Sequence, residues 1–124
     1  MDKYIFLFFL MPLLIFSQKT SFSYEILNYE SFKNEISNDD VLLFDIRTTD
    51  EFNSGHIEGS INIDFYDKKI FTEFFEKIEK SKPIFIYCRT GNRSKQSSEL
   101  LKTIGFNNVF DLEGGYANWI SNKN

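Results

Sequence analysis

The sequence predicts an α/β fold: a three-layer α/β/α sandwich around a mostly parallel sheet of about five strands. Two observations carry this. Short apolar runs such as Val41-Leu42-Leu43-Phe44 and Pro83-Ile84-Phe85-Ile86-Tyr87 lack the apolar–polar alternation of a half-solvated sheet, and suit strands covered on both faces. Between the runs lie segments with helical spacing of apolar residues, and strands alternating with helices imply right-handed βαβ crossovers. The 124 residues allow one domain, and 42% hydrophobic content with 15 Phe suffices for a compact, bulky core. A formal charge of −4 recommends neither nucleic acid nor an anionic membrane surface as partner.

The chain opens on a segment that stands apart. An apolar run from Tyr4 to Phe16, broken only by Pro12, follows Lys3 and ends at Ser17-Gln18. Its 13 residues fall short of the ~20 that a membrane span needs and suit the apolar region of a signal peptide. Residues 1–17 are therefore expected to be a signal peptide cleaved near Ser17, giving an exported, periplasmic protein with no membrane association; an uncleaved anchor is the alternative. Residues 18–24 are read as a short linker and 25–122 as the folded domain.

Tyr24-Glu25-Ile26-Leu27 is the first strand candidate. Asn28 is placed to cap a helix carrying Tyr29, Phe32 and Ile36 at i, i+3 and i+7, and Ser37-Asn38-Asp39-Asp40 reads as a turn. After the Val41–Phe44 strand, Thr48-x-x-Glu51 is a capping box for a short helix that Gly55 ends. Ile61-Asn62-Ile63 is a further strand. Phe71, Phe74, Phe75 and Ile78 mark an amphipathic helix, with Glu73, Glu76, Lys77 and Lys80 on its other face. The Pro83–Tyr87 strand leads to a helix over Ser94 to Ile104, with Leu100, Leu101 and Ile104 on one side. Asn108-Val109-Phe110 is the last strand, and Gly114-Gly115 turns the chain into a terminal helix containing Trp119.

The chemistry concentrates where the fourth strand meets its helix, at Cys88-Arg89-Thr90-Gly91-Asn92-Arg93-Ser94. Ligand sites in open parallel sheets lie beyond the carboxyl ends of the strands, which puts Cys88 and Asp45 on one edge. The first N–H groups of a helix have no intrahelical partner and carry the positive end of its dipole, so they attract an anion. Arg89 and Arg93 add full charges. Such surroundings lower a cysteine's pKa by roughly one to several units, so the loop is expected to hold a thiolate. A single cysteine cannot form a disulfide within its own chain and stays reactive in an oxidising compartment. A buried structural cysteine is the alternative, but it would need neither Gly91 nor two arginines beside it. Cys88 to Arg93 is C-x4-R, one residue shorter than the C-x5-R cradle of cysteine phosphatases. The tighter ring suits a smaller anion, such as the terminal sulfur of a persulfide.

This run resembles the active-site loop of rhodanese domains, written C-R-x-G-x-R-[ST]. The resemblance extends to Asp45-Ile46-Arg47, Glu51-Phe52, Gly55-His56-Ile57-Glu58-Gly59-Ser60-Ile61-Asn62-Ile63, Gly105-Phe106-Asn107-Asn108-Val109 and Gly114-Gly115-Tyr116-Ala117-Asn118-Trp119, covering about residues 25–120. It implies a rhodanese-like fold and a sulfurtransferase that moves a sulfane sulfur from thiosulfate or a related anionic donor to cyanide or a thiol. Cys88 would carry the sulfur as a persulfide, held by the amides of Arg89, Thr90, Gly91, Asn92, Arg93 and Ser94. Arg93 would stabilise the charge from the side, and Arg89 would attract the donor. Asp45 and Arg47 are expected to brace the site. No cofactor is implied, and one Cys with one His cannot supply a four-ligand metal site. Two other readings stand beside this one: a non-catalytic rhodanese-like binding module, and a cysteine phosphatase or arsenate reductase using the same thiolate. His56 is expected to sit in a structural turn rather than act as a base. Ser97 and Ser98 stand where the family pattern carries small apolar residues, which predicts a more polar packing face.

Overall fold

A computed structural model describes residues 12–15, 21–38 and 40–123. In chain order the elements are β1 (Ser23–Leu27), α1 (Tyr29–Ile36), β2 (Leu42–Asp45), α2 (Thr49–Asn53), β3 (Ile61–Asn62), α3 (Lys68–Glu76), β4 (Ile84–Tyr87), α4 (Asn92–Ile104), β5 (Asn108–Leu112) and α5 (Gly115–Lys123). The strands form one sheet in the order β1-β5-β4-β2-β3, and each neighbouring pair is parallel. The expected α/β/α sandwich is therefore present, with its sheet parallel throughout the described residues.

Successive side chains of a strand point to opposite faces, and this explains why the central strands are apolar without a break. Phe44, Ile84, Ile86 and Val109 face one side, packing with Phe71 and Phe75 of α3 and Leu101 of α4. Leu43, Phe85, Tyr87 and Leu112 face the other, with Phe32 of α1. Full burial of a Phe is worth ~1.5–3 kcal/mol, so the stack of Phe44, Phe71 and Phe75 is a large local contribution. The rings meet edge-on or tilted, with Phe44 and Phe75 centroids 4.9 Å apart.

Local signals account for most boundaries. Asn28 Oδ1 accepts the Ser31 amide at 2.9 Å and starts α1. Asp67 Oδ1 does the same for α3 from the Ile70 amide at 3.2 Å. That helix ends at Glu76, so Ile78 packs on the core from beyond it. Gly105, left-handed at φ +118°, ends α4 by donating to the carbonyls of Leu101 and Lys102.

The first strand holds the expected Tyr24–Leu27 and one residue more, Ser23. The Ser23 amide donates to Asn107 O at 2.7 Å, and the Tyr24 side chain hydrogen-bonds Asp111 of β5. The expected signal peptide at 1–17 lies outside the described residues except for 12–15, which are exposed and without regular secondary structure. Among the described residues no helix is long and apolar enough to cross a membrane.

The polar side of α4 is as expected. Ser94, Ser97 and Ser98 are buried against the sheet. Ser97 donates to Ser94 O at 2.8 Å and Ser98 to Lys95 O at 2.6 Å, so these two hydroxyls are satisfied within their own helix.

Candidate active site

Cys88 directly follows β4 and is 1% exposed, at the floor of the loop that leads into α4. Its sulfur receives the Gly91 N–H at 3.0 Å. The thiol in turn lies 3.4 Å from Ser94 Oγ, and the Ser94 hydroxyl donates to Gly91 O at 3.1 Å. Gly91 sits at φ +110° as the N-cap of α4, the left-handed region that turns its N–H back toward the sulfur. A Cβ there would meet nothing within 4 Å, so the demand for glycine is conformational rather than steric. The amides of Asn92, Arg93 and Ser94 form the open first turn beside it.

The loop is held from behind by the start of α5. Tyr116 N–H donates to Cys88 O at 2.8 Å and Ala117 N–H to Arg89 O at 3.0 Å. A Cβ on Gly115 would lie 2.5 Å from Cys88 O and 2.6 Å from Arg89 C, so only glycine lets the two backbones approach.

Two arginine–carboxylate pairs flank this arrangement. Arg47 grips Asp45 through Nη2 at 2.6 Å and Nε at 3.0 Å, and both residues are buried. The same Nη2 donates to Gly55 O at 2.7 Å, and the guanidinium lies 4.2 Å over the Tyr116 ring. Asn62 closes the group by donating to the carbonyls of Asp45 and Arg47. Nearer the loop, Arg93 forks onto Glu51, Nη1 to Oε1 at 2.7 Å and Nη2 to Oε2 at 2.8 Å. The Arg93 hydrogen bonds outweigh burial and hold the Glu51 carboxyl down at about 2, with help from the Thr48 amide. Arg93 is thus charge-paired, whereas Arg89 is exposed and makes no ion pair among the described residues. Arg89, Glu51, Tyr116, Ala117 and Ile120 help to line a cleft of about 450 Å³ beside the loop.

A buried cysteine whose sulfur receives the Gly91 amide at the start of a helix, on the carboxyl edge of a parallel sheet, invites comparison with known proteins. The family model described as "Rhodanese-like domain" matches residues 28–122. The chain belongs to the rhodanese-like family. It is 30% identical over 79 residues to the thiosulfate sulfurtransferase GlpE of Tolumonas auensis, covering 64% of this chain and 72% of that protein. It is 37% identical over 90 residues to the tRNA uridine(34) hydroxylase of Pelagibacter ubique, covering 72% of this chain but only 30% of the longer protein. The crystal structure of a rhodanese-related protein from Thermoplasma volcanium superposes with a TM-score of 0.68 at 30% identity, covering 80% of this chain and 93% of that one.

Within this rhodanese-like domain, Cys88, Arg89, Thr90, Gly91, Asn92, Arg93 and Ser94 form one continuous loop and helix start, and Asp45 pairs with Arg47 at the end of β2. His56 lies in an irregular segment after α2, with its ring against the backbone. Its ring stacks on Phe52 at 3.7 Å, with Nδ1 2.9 Å from Phe52 O. Three features were not read from the sequence. Glu51, read as half of the capping box with Thr48 and as part of the family resemblance, also pairs with Arg93. Gly115, taken as a turn residue, is the point where α5 meets the loop. Asp111, 2% exposed, sits on β5 beneath the start of α4. The spacing of Val109 and Asp111 by two residues was the signal that could have placed that carboxyl on the α4 face.

Proposed function

We propose that this rhodanese-like domain is a sulfurtransferase working through a Cys88 persulfide. The Cys88 thiolate attacks the outer sulfur of thiosulfate; the new S–S bond forms as the donor's S–S bond breaks, and sulfite leaves with the electron pair. The outer sulfur of the resulting persulfide carries the negative charge. Amides at the start of α4 stabilise that charge much as an oxyanion hole holds oxygen. Cyanide, or a thiol in the cell, then attacks the outer sulfur and returns Cys88 as the thiolate.

The observation that carries this reading is the Gly91 N–H directed at Cys88 Sγ at 3.0 Å, in a loop where Arg89 makes no ion pair among the described residues. With Arg93 tied to Glu51, Arg89 is the residue that draws the anionic donor in, and Arg93 shapes the loop wall. The test is thiocyanate formation from thiosulfate and cyanide by the full chain and by Cys88→Ser. Activity that vanishes with the sulfur supports the proposal. A wild-type protein that turns over none of thiosulfate, 3-mercaptopyruvate or glutathione persulfide is a binding module instead. The proposed setting is an exported one, for which the N-terminus of the protein recovered from its cells is expected to begin just after Ser17.

A further inference from the structure

A polar cluster lies behind the sulfur, and the proposed sulfur transfer makes no use of it. Asp111 sits on β5 with Ile86 of β4 opposite it on one side and Ile26 of β1 on the other. Its Oδ2 accepts the Tyr24 hydroxyl from β1, and among the described residues Oδ1 is buried with no partner in full hydrogen-bond geometry, although the Ser94 hydroxyl and the Leu112 amide also favour the charged carboxylate. A buried carboxylate oxygen left unpaired is costly and rare, and asks for a reason. On α4 the Ser94 hydroxyl interacts by hydrogen bonding with the Asp111 carboxyl and also lies 3.4 Å from the Cys88 sulfur. Cys88 and Tyr24 are likewise within electrostatic reach of each other.

We propose that Asp111 is a positioning residue for Cys88, acting through Ser94: its carboxyl decides whether the Ser94 hydroxyl proton is given to the sulfur or withheld from it. The inference rests on Cys88 being the reactive sulfur of the domain.

The hydrogen bonding permits two arrangements. Ser94 has one hydroxyl proton and three neighbouring acceptors: Gly91 O, the Cys88 sulfur once ionised, and the Asp111 carboxylate. An ionised Asp111 competes for that proton and leaves a Ser94 lone pair facing the sulfur, which disfavours negative charge there. A protonated Asp111 donates its own proton to Ser94 Oγ, and Ser94 then donates to the thiolate. Burial is the largest influence on Asp111 and pushes its carboxyl up to about 6, against the lowering effects of Ser94 and Tyr24. Both arrangements are therefore reached near neutral pH. The titratable groups facing Asp111 are Tyr24 from β1 and Cys88 from the end of β4. On α4, Lys95, Glu99 and Lys102 are exposed on the far side, and Arg93 is turned to Glu51.

The experiment is the rate at which iodoacetamide alkylates Cys88 in the full chain across pH 5 to 9, a readout that needs no sulfur donor. A protein that fails to take sulfur from thiosulfate can still show the coupling, so the two proposals fail separately. In wild type, the profile should bend near pH 6 in addition to the thiol's own ionisation. Asp111→Asn, nearly isosteric and able to donate to Ser94 like the protonated acid, should lose that bend and react about threefold to tenfold faster at neutral pH. Tyr24→Phe removes a donor to the ionised carboxylate and should move the bend to higher pH. A purely structural Asp111 would change stability without reshaping the profile. Superimposable wild-type and Asp111→Asn profiles overturn the proposal, as does a bend left in place by Tyr24→Phe.

Discussion

The two arginine–carboxylate pairs beside the loop differ in nearly everything except chemistry. Arg47 and Asp45 are two residues apart, buried together, and bonded further to Gly55 O and the Tyr116 ring. Arg93 and Glu51 are 42 residues apart, and their side chains remain 12% and 27% exposed. The inner pair fastens the end of β2 to the turn at Gly55 and to α5. The outer pair fastens the first turn of α4 to α2 and so sets one wall of the sulfur's loop. Ion pairs buried in the interior are expensive to break and insensitive to solvent, whereas pairs at a rim are cheaper and respond to pH and salt. The scaffold is thus held by the first and the loop is trimmed by the second.

Breaking the inner pair should have the largest effect. Arg47→Ala leaves the Asp45 carboxylate buried without its partner and should destabilise by about 3–5 kcal/mol in chemical denaturation. A loss below about 1 kcal/mol would erase the contrast between the pairs. Next comes Glu51→Gln, expected to lose about 1.5–3 kcal/mol at neutral pH, the range for hydrogen bonds to charged groups. Its signature is the pH dependence. Because the Glu51 carboxyl is held down at about 2 in the folded state, its contribution is full above the ordinary carboxylate range and is lost as pH falls toward 2. Wild type should therefore lose stability through that window, and Glu51→Gln should show a flatter acid limb. The smallest effect is salt. Raising ionic strength to 1 M should weaken the coupling of Glu51 and Arg93 in a double-mutant cycle by a few tenths of a kcal/mol, and leave that of Asp45 and Arg47 unchanged.

The same contrast explains what could be read in advance. Asp45-Ile46-Arg47 is local, and its place at a strand's carboxyl end was enough to suggest a brace. The helix caps at Asn28 and Thr48 are local too, and both were legible. Glu51 was already accounted for by its capping box, and nothing within 42 residues pointed to Arg93 as its second partner. Asp111 and Tyr24 are 87 residues apart and meet only because β1 and β5 pair in parallel at one side of the sheet. Tyr24 was expected in the first strand, but the strand expected at Asn108–Phe110 stopped one residue before Asp111, and nothing in the sequence paired those two strands. Gly115 makes the same point about backbone. Its role is a 2.5 Å approach to Cys88 O that no side-chain pattern encodes. Gly115→Ala should displace the loop and cut the rate of Cys88 alkylation, checked in parallel with a melt to separate loop geometry from unfolding.

The most direct measurement is the intact mass of the protein after incubation with saturating thiosulfate, followed by peptide mapping. The account predicts a gain of one sulfur atom located on Cys88, reversed on adding cyanide and absent from Cys88→Ser. A wild-type protein whose mass is unchanged contradicts it.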